Sequence, residues 1–243
     1  MAAGLWRGIF MYRRFEGAGD SGPCADCPAR ATAICGRLTP ADLAGFSAMG
    51  RHRRLARGQT LMWEGDAGDL VANVISGVLK LTTMGVGGDE QIVGLAWPSD
   101  FVGSPFGGRL GCGVTALVES EICFFSRTPF EAFLDAHPEL ERALLIRAFA
   151  DLEKAREFQT MLGRRTAGQK VAALLLAMAG NGAAETRISL PMSRQEMADL
   201  LGLTIETVSR QLGRLTEAGL IALPDRRSVL VKRREALEAF AVA

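Results

Sequence analysis

Residues 193–215 read SRQEMADLLGLTIETVSRQLGRL, and this stretch carries the start and stop signals of two consecutive helices. Ser193 and Glu196 have the spacing of a capping box, which predicts the start of the first helix. Gly202 is the residue type expected where that helix ends, and Thr204 is a suitable N-cap for the next one. The stretch therefore predicts two helices joined by a short glycine-containing turn.

The second helix of this pair has two chemically different faces. Its apolar positions repeat at i, i+4 and i+7, the spacing of a buried face: Val208, Leu212 and Leu215. Glu206, Ser209 and Arg210 share another face near the N-terminal end. An arginine can bind guanine, a glutamate can accept a hydrogen bond from cytosine, and a serine can bind a base edge or a phosphate. This face predicts recognition of double-stranded DNA in the major groove, although a solvated Glu206–Arg210 salt bridge would use the same residues.

A basic hairpin is predicted directly after this helix. Two β-rich runs, residues 219–223 and 228–231, flank the polar sequence Pro-Asp-Arg-Arg, which ends in Arg226 and Arg227. A helix-turn-helix followed by such a hairpin is a winged helix, and its two tip arginines would bind phosphates without selecting a base sequence. Arg214, on the preceding helix, is a further DNA-binding candidate.

Upstream, residues 59–126 contain short β-rich runs separated by glycine turns. The runs are 60–63, 70–75, 78–84, 91–96, 114–118 and 122–125. Strands at this spacing predict an antiparallel roll or barrel. Helical signals take over at Thr128, which has the spacing of a second capping box with Glu131. The fold class predicted for the chain is α+β, with an N-terminal antiparallel β-roll and a C-terminal winged helix.

A long helix is predicted between these two parts, because residues 138–162 contain neither an internal Pro nor a Gly. Its apolar residues repeat near a heptad: Leu140, Leu144, Ala148, Leu152, Ala155 and Leu162. This stripe predicts a homodimer formed through the helix, although it could instead pack on the roll. The predicted organisation has four parts: an N-terminal tail (1–23), a cysteine segment with the sensory roll (24–136), a dimerisation helix (137–164) and a DNA-binding domain (165–243).

The composition excludes several classes of protein. Of 243 residues, 48% are hydrophobic and 23% are charged, which is typical of folded domains. Neither a membrane-length apolar run nor a signal-peptide core is found, so a cytoplasmic protein without a membrane partner is expected. The absence of a nucleophile–base pair, a P-loop and a dinucleotide-binding motif argues against an enzyme. Residues 160–243 carry a net charge of +4, which fits an anionic partner or an ordinary solvated surface.

Five cysteines in a chain without an export signal favour metal or redox chemistry over structural disulfides. Cys24, Cys27 and Cys35 have Cys-x2-Cys-x7-Cys spacing, and three such thiolates can converge on one soft metal centre. The fourth ligand would be Cys123 or Cys112. Zinc, a redox-active dithiol and unligated thiols are alternatives at this stage. The two histidines, His52 and His137, are expected at the surface without a ligand role.

The run from Met197 to Leu215 resembles the recognition motif of the CRP/FNR family of bacterial transcription regulators. Residues 64–66, 75–80 and 88–94 are similar to the sensory β-roll of the same family, which is of the cyclic-nucleotide-binding type. The resemblance covers about residues 24–235 and implies a homodimer bound to an inverted DNA repeat. It also implies that the glycine-rich hairpin tip at residues 85–88 contacts RNA polymerase, as expected of an activator, while the sequence alone does not distinguish activation from repression.

The resemblance to the FNR branch implies specific roles for the candidate residues. The set Glu206, Ser209 and Arg210 is similar to the one that reads a TTGAT-type half-site. An oxygen-sensing 4Fe-4S cluster would be held by four cysteines, with zinc as the alternative metal: Cys24, Cys27, Cys35 and Cys123. Loss of the cluster in oxygen would loosen the cysteine segment and weaken dimerisation.

Cyclic-nucleotide binding is not expected from the same resemblance. The family members that bind a cyclic nucleotide carry a carboxylate and an arginine where this chain has Ser104 and Val114. A buried phosphate without its cation would be poorly stabilised. Arg109 is the only nearby substitute.

Overall fold

The computed structural model describes Cys24 and residues 27–180 and 185–242. The predicted N-terminal tail, residues 1–23, lies outside the described residues. The described residues divide into two units, one up to residue 149 and one from residue 150 onward, and the two are described separately. Within the described residues, no helix combines the length and apolarity needed to cross a bilayer.

The first unit is built on two four-stranded antiparallel sheets, in the orders β1-β8-β3-β6 and β2-β7-β4-β5. The strands are β1 (Arg51–Leu55), β2 (Thr60–Met62), β3 (Leu70–Ser76), β4 (Leu79–Met84), β5 (Glu90–Ala96), β6 (Phe101–Gly103), β7 (Gly113–Ala116) and β8 (Ser120–Ser126). The predicted antiparallel roll is confirmed. Strands β1 and β6 were not predicted, because β1 has the sequence RHRRL with four exposed positions and β6 has only three residues.

The sheet that contains β8 separates two hydrophobic cores. Ile122 of β8 is fully buried in the core inside the roll, together with residues such as Leu55 and Leu79. Cys123 and Phe125 belong to the second core, on the outer face of the sheet. This alternation follows from the two-residue period of side chains along a strand.

Two helices cover the outer core: α1 (Pro40–Met49) and α2 (Arg127–Ala136). The predicted capping box of α2 is wrong. The helix begins at Arg127 rather than after Thr128, and its N-cap residue, Ser126, makes no side-chain capping bond. The physical reason is that the Glu131 carboxylate accepts a hydrogen bond from the Arg127 guanidinium at 2.8 Å instead of turning back to the chain ahead of it.

Helix α3 (Pro138–Arg164) is continuous, as predicted. Its apolar residues do not form one stripe, however. Leu140 and Leu144 are buried in the outer core, whereas Leu145, Ile146 and Phe149 are exposed. The first part of the predicted heptad therefore packs within the first unit. Leu152, a later heptad position, is exposed as predicted, and Leu145, Ile146 and Phe149 add exposed apolar side chains beside the heptad positions.

The second unit contains the predicted helix-turn-helix and hairpin. Its elements are α4 (Ala167–Ala179), β9 (Thr186–Ser189), α5 (Arg194–Leu201), α6 (Ile205–Glu217), β10 (Ile221–Asp225), β11 (Ser228–Val231) and α7 (Arg234–Val242). The Ser193–Glu196 capping box is formed, Gly202 is left-handed with φ of 61°, and the Thr204 hydroxyl caps α6. Strand β9, which was not predicted, pairs with β11 and widens the hairpin to three strands.

Two glycines of the roll allow a test of how closely its turns pack. Gly77 and Gly65 have similar positive φ angles, 85° and 82°. A Cβ at Gly77 would lie 2.6 Å from the Cα of Ser120, whereas a Cβ at Gly65 would meet no atom within 4 Å. We expect Gly65→Ala to lower the free energy of unfolding by about 1 kcal/mol through backbone strain alone. Gly77→Ala should cost about 1–3 kcal/mol more because it also overlaps Ser120. Urea unfolding measures both changes, and equal losses would contradict the predicted contact.

Candidate functional site

Helix α6 has the two faces that its sequence predicts. Val208 and Leu212 are buried in the second unit, while Glu206 and Arg210 are exposed and Ser209 is half-buried. The three polar side chains lie in the first half of the helix, as DNA-reading residues of a helix-turn-helix do.

Local hydrogen bonds hold the polar face of α6. The Arg210 guanidinium donates to the Thr207 hydroxyl at 3.3 Å, and the Arg194 guanidinium donates to the Ser209 hydroxyl at 3.3 Å. No Glu206–Arg210 ion pair forms among the described residues, so the salt bridge considered as an alternative is not made. The backbone N–H of Glu206 and the Thr204 hydroxyl lower the pKa of the Glu206 carboxyl, which favours its charged, hydrogen-bond-accepting form.

The tip of the hairpin presents two arginines to solvent. Arg226 and Arg227 lie between β10 and β11, and both are exposed. The Asp225 carboxylate fixes this turn by accepting hydrogen bonds from the Arg227 backbone N–H at 2.7 Å and the Ser228 hydroxyl at 2.6 Å. These bonds lower the pKa of the Asp225 carboxyl. Because the turn is held through the backbone and Ser228, neither arginine side chain is needed to hold it.

Four of the five cysteines come together on the outer face of the roll. Cys24, Cys35 and Cys123 are buried in the outer core, and Cys27 packs against it half-buried. The pKa of the Cys123 thiol is raised first by burial and then by charge on the other three sulfurs. Cys112 lies away from this cluster. Burial and the nearby Glu64 carboxylate raise the pKa of its thiol, and none of the other cysteine sulfurs contributes to that shift.

Glycine at position 50 leaves the space that the Cys123 sulfur occupies. A Cβ at Gly50 would lie 3.2 Å from Cys123 Sγ and 2.8 Å from Phe125 Cε1. Gly50 follows the last residue of α1, so the end of that helix passes directly over the sulfur. Any larger residue here would have to displace the thiol or the phenyl ring.

The spacing of the sulfurs bears on which metal centre they fit. Among the described residues, no three cysteine sulfurs lie within 4.8 Å of one another. Tetrahedral zinc with Zn–S bonds of about 2.3 Å would hold its four sulfurs roughly 3.8 Å apart. A four-iron cluster binds each sulfur to a different iron atom, so its ligands lie farther apart. The four convergent thiols therefore have the residue chemistry of a thiolate-bound metal centre, and their spacing leaves room for a centre larger than one zinc ion.

Asn73 is a neighbour of this cluster that sequence reasoning missed. It lies opposite Cys123 in the β3–β8 pair, where paired side chains point to the same face of the sheet. The residue is 3% exposed, and its side-chain oxygen has no hydrogen-bond partner among the described residues. Its carboxamide therefore lies beside Cys123 with unused hydrogen-bonding capacity.

A second missed feature is the junction formed by Ser99 and Asp100 between β5 and β6. The Ser99 hydroxyl lies 2.5 Å from the Thr32 hydroxyl and donates to the Ala29 carbonyl at 3.3 Å. Both partners lie between Cys27 and Cys35, in the part of the chain called the cysteine segment (residues 24–35). Ser99 has a φ of 79°, which is unusual for a residue with a side chain. The Asp100 carboxylate forms a salt bridge with Arg147 of α3. Two consecutive residues therefore connect the cysteine segment to α3.

The positions that would bind a cyclic nucleotide do not form an anion site. Val114 is buried inside the roll, and the Ser104 hydroxyl donates to the Gly107 carbonyl. Arg109, the substitute cation, donates to the Gly65 carbonyl at 2.8 Å. The roll has the architecture of a nucleotide-binding domain without the charged groups that a cyclic phosphate requires.

The two histidines have different surroundings. His52 is exposed, with Nδ1 3.4 Å from a Glu121 carboxylate oxygen. His137 was expected at the surface but stacks on Phe133 with ring centroids 3.7 Å apart, and its Nε2 lies 3.5 Å from an Asp42 carboxylate oxygen. Neither histidine lies among the four convergent cysteines.

Comparisons with known proteins agree with both units. Residues 169–240 match the model of the Crp-like helix-turn-helix domain, and residues 52–137 match the model of the cyclic nucleotide-binding domain. The second match describes the family of the roll.

Relatives with these domains are transcription regulators. The transcriptional activator protein FnrL of Cereibacter sphaeroides is 41% identical over 216 residues, which cover 86% of this chain and 87% of FnrL. The nitrogen fixation regulation protein FixK of Bradyrhizobium diazoefficiens is 40% identical, over 82% of this chain and 86% of FixK. The solved structure of FixK2 from Bradyrhizobium japonicum superposes with a TM-score of 0.74 at 26% identity, over 80% of this chain and 98% of FixK2. The protein is a DNA-binding transcription regulator rather than an enzyme, and it belongs to the FNR-like branch of the CRP/FNR family.

Proposed function

We propose that this protein is an oxygen-responsive transcription activator that holds a 4Fe-4S cluster. The cluster ligands would be Cys24, Cys27, Cys35 and Cys123. The observation that carries this proposal is the convergence of these four thiols, from two distant parts of the chain, while Cys112 lies apart. When bound, the cluster would supply an oxygen-labile covalent link between the cysteine segment and the roll.

The surroundings of the thiols support a metal-bound state. Burial raises the pKa of Cys35 to about 11, so without a metal its thiol stays protonated at neutral pH. A cationic centre stabilises the thiolate that burial disfavours. The aromatic core beneath Cys123, including Phe46 and Phe125, limits the access of water to the ligands. Gly50 leaves room for the Cys123 sulfur, and the polar Asn73 carboxamide lies next to that sulfur.

Dimerisation is proposed to occur through α3, within the predicted segment 137–164. Leu145, Ile146 and Phe149 are each between 56% and 60% exposed. Three large apolar side chains so close together on one helix are typical of a buried interface. A second copy of the chain would bury them, and two DNA-binding domains, residues 165–243, would then bind an inverted repeat.

The Ser99–Asp100 junction offers a route from the cysteines to this helix. With the cysteine segment held in place, Ser99 keeps its bonds to Ala29 and Thr32, and Asp100 holds Arg147 of α3. Release of the segment would free Ser99, whose positive φ is otherwise unfavourable. The Arg147 salt bridge would then lose its fixed partner, and the dimer-forming arrangement of α3 would become less populated.

The DNA contacts are proposed from the geometry of α6 and the hairpin. Glu206, Ser209 and Arg210 would read the bases of a TTGAT-type half-site in the major groove. Arg226 and Arg227 would bind phosphates, since both are exposed at the hairpin tip. Arg214, which is exposed one turn beyond Arg210 on the same helix, is proposed as a further DNA contact.

The remaining features of the proposal follow from the family. The protein would act in the cytoplasm, where its DNA and RNA polymerase are found. The hairpin tip at residues 85–88 would contact the polymerase, and Val86 there is fully exposed. Zinc bound by the same four cysteines is the alternative centre, and it would remove the oxygen response without affecting DNA recognition. No cyclic nucleotide is proposed, because Val114 occupies the place of the arginine that would bind it.

Two cysteine variants test the ligand set. Anaerobically purified Cys123→Ala should lose most of its iron and acid-labile sulfide, because one of four ligands is missing. Cys112→Ala is the matched control and should keep the iron and sulfide content and the visible absorption of the unaltered protein. Elemental analysis and absorption spectroscopy measure both. A colourless unaltered protein that contains only zinc, or a Cys123→Ala variant with its full iron content, would overturn the proposed centre.

A serine variant tests the coupling route. The Ser99→Ala variant still has a Cβ at positive φ, so the backbone strain at this position is unchanged. It lacks the hydroxyl that bonds to the cysteine segment. We expect the iron content to stay the same and the monomer–dimer dissociation constant to rise about 3- to 10-fold, because the two hydrogen bonds of Ser99 to Thr32 and Ala29 are lost. Anaerobic sedimentation equilibrium measures this constant. Ser104→Ala, which loses only a local bond to Gly107, is the control, and equal behaviour of the two variants would rule out the route.

Two arginine variants distinguish base reading from phosphate binding. Arg210→Ala should weaken binding to a TTGAT inverted repeat by about 1–3 kcal/mol and relax the preference at one base pair. Arg226→Ala should weaken binding to all sequences alike and lower the salt dependence by about one counterion per chain. Fluorescence anisotropy at several salt concentrations, with a scrambled duplex for comparison, measures both. Uniform weakening by Arg210→Ala would show that Arg210 binds phosphate instead.

A further inference from the structure

A cavity of about 320 Å³ lies in the second unit, and of the DNA contacts proposed above only Arg214 borders it. It opens between the first turn of α4 and the inner flank of α6. One side carries polar groups and the other is apolar, which is the composition expected of a small-molecule site.

The first polar element is the N-terminus of α4, a helix of 13 residues. Thr166 and Gln169 form a capping box and satisfy each other's backbone N–H groups. The N–H groups of Ala167 and Gly168, in the same first turn, have no acceptor within the helix. Both residues line the cavity, which therefore faces the positive end of the helix dipole.

The second polar element is Gln211, which projects from the buried face of α6. It is 8% exposed and lines the cavity. Its amide forms no hydrogen bond with any part of the chain that the structure describes. The side-chain oxygen lies 3.1 Å from the position of a Cβ added at Gly168, so the amide lies directly against the first turn of α4. The residue is buried but its amide borders the cavity, so a ligand or solvent there is what can complete its bonding.

The third polar element is Arg214, one turn after Gln211 on α6. Its guanidinium forms no ion pair or hydrogen bond within the described residues, and it lies at the exposed mouth of the cavity. The opposite wall is apolar and contains Leu215, Leu220 and Phe240. One end of the cavity therefore has a helix N-terminus, an amide and a guanidinium, and the other end has apolar side chains. This arrangement suits an anion that carries an apolar group.

We propose that this cavity binds a small organic anion. Its carboxylate or phosphate group would accept hydrogen bonds from the Ala167 and Gly168 N–H groups, Gln211 and Arg214. Its apolar part would pack on Leu215 and Phe240. Because α6 also carries Glu206 and Arg210, an occupant held between α4 and α6 would act on the helix proposed to read DNA, independently of the cysteine cluster.

Phenyl phosphate is the probe for the full-length protein, since it combines a phosphate with a ring of suitable size. Calorimetric titration should give a dissociation constant on the order of 0.1–1 mM, the range expected for about eleven non-hydrogen atoms. Phenol, which lacks the anion, and inorganic phosphate, which lacks the ring, should each bind at least 10-fold more weakly. Failure of phenyl phosphate to bind, or equally tight binding of inorganic phosphate, would overturn the proposal.

Three variants locate the binding. Gly168→Ala places a methyl group 3.1 Å from both Gln211 Oε1 and Phe240 Cζ and should reduce affinity at least 10-fold. Arg214→Ala, at an exposed position that does not threaten folding, should reduce it similarly. Gly213→Ala is the control, because its methyl group would meet no atom within 4 Å. Unchanged affinity in both Gly168→Ala and Arg214→Ala would show that phenyl phosphate binds elsewhere and would refute the site.

Discussion

The packing of aromatic rings on the outer face of the roll is the interaction on which the proposed sensor depends. The ring centroids of Phe46 and Phe125 lie 4.4 Å apart, and those of Phe125 and Phe130 lie 5.5 Å apart. These contacts hold α1 and α2 against β8. They also place the end of α1 over Cys123, where Gly50 leaves just enough room for the sulfur. Without this core, the cysteine segment would have no surface on which to meet the fourth thiol.

The same unit contains the connection that a sensor needs. Ser99 binds the cysteine segment, and the adjacent Asp100 binds Arg147 of α3. A change at the cysteines can therefore reach α3 through two residues rather than through a rearrangement of the whole roll. The exposed side chains of Leu145, Ile146 and Phe149 lie on the same helix close to Arg147, which gives such a change an interface to act on.

Predictions from the sequence succeeded where the signal was local. The Ser193–Glu196 capping box, Gly202 and Thr204 act through bonds within a few residues, so their pattern was sufficient to place α5 and α6. The same type of pattern failed at Thr128 and Glu131, because the Arg127 guanidinium competes for the Glu131 carboxylate. The heptad on α3 failed in part for a related reason. Periodicity identifies apolar positions but not the surface that buries them, and Leu140 and Leu144 pack within their own unit.

The amino-acid sequence by itself determined the fold class, the α6 residues available to read DNA and the five thiols available to bind a metal, because residue types and short spacings encode these features. The tertiary structure alone decided which thiols meet. The residue spacing left both Cys123 and Cys112 open as the fourth thiol, and the family resemblance favoured Cys123. The two-residue period of β8, together with the aromatic core on its outer face, places Cys123 beside Cys24 and Cys35 and leaves Cys112 with Glu64. The Ser99–Asp100 junction and the cavity beside Gln211 arise in the same way, since each joins residues that are distant along the chain and that only folding brings into contact.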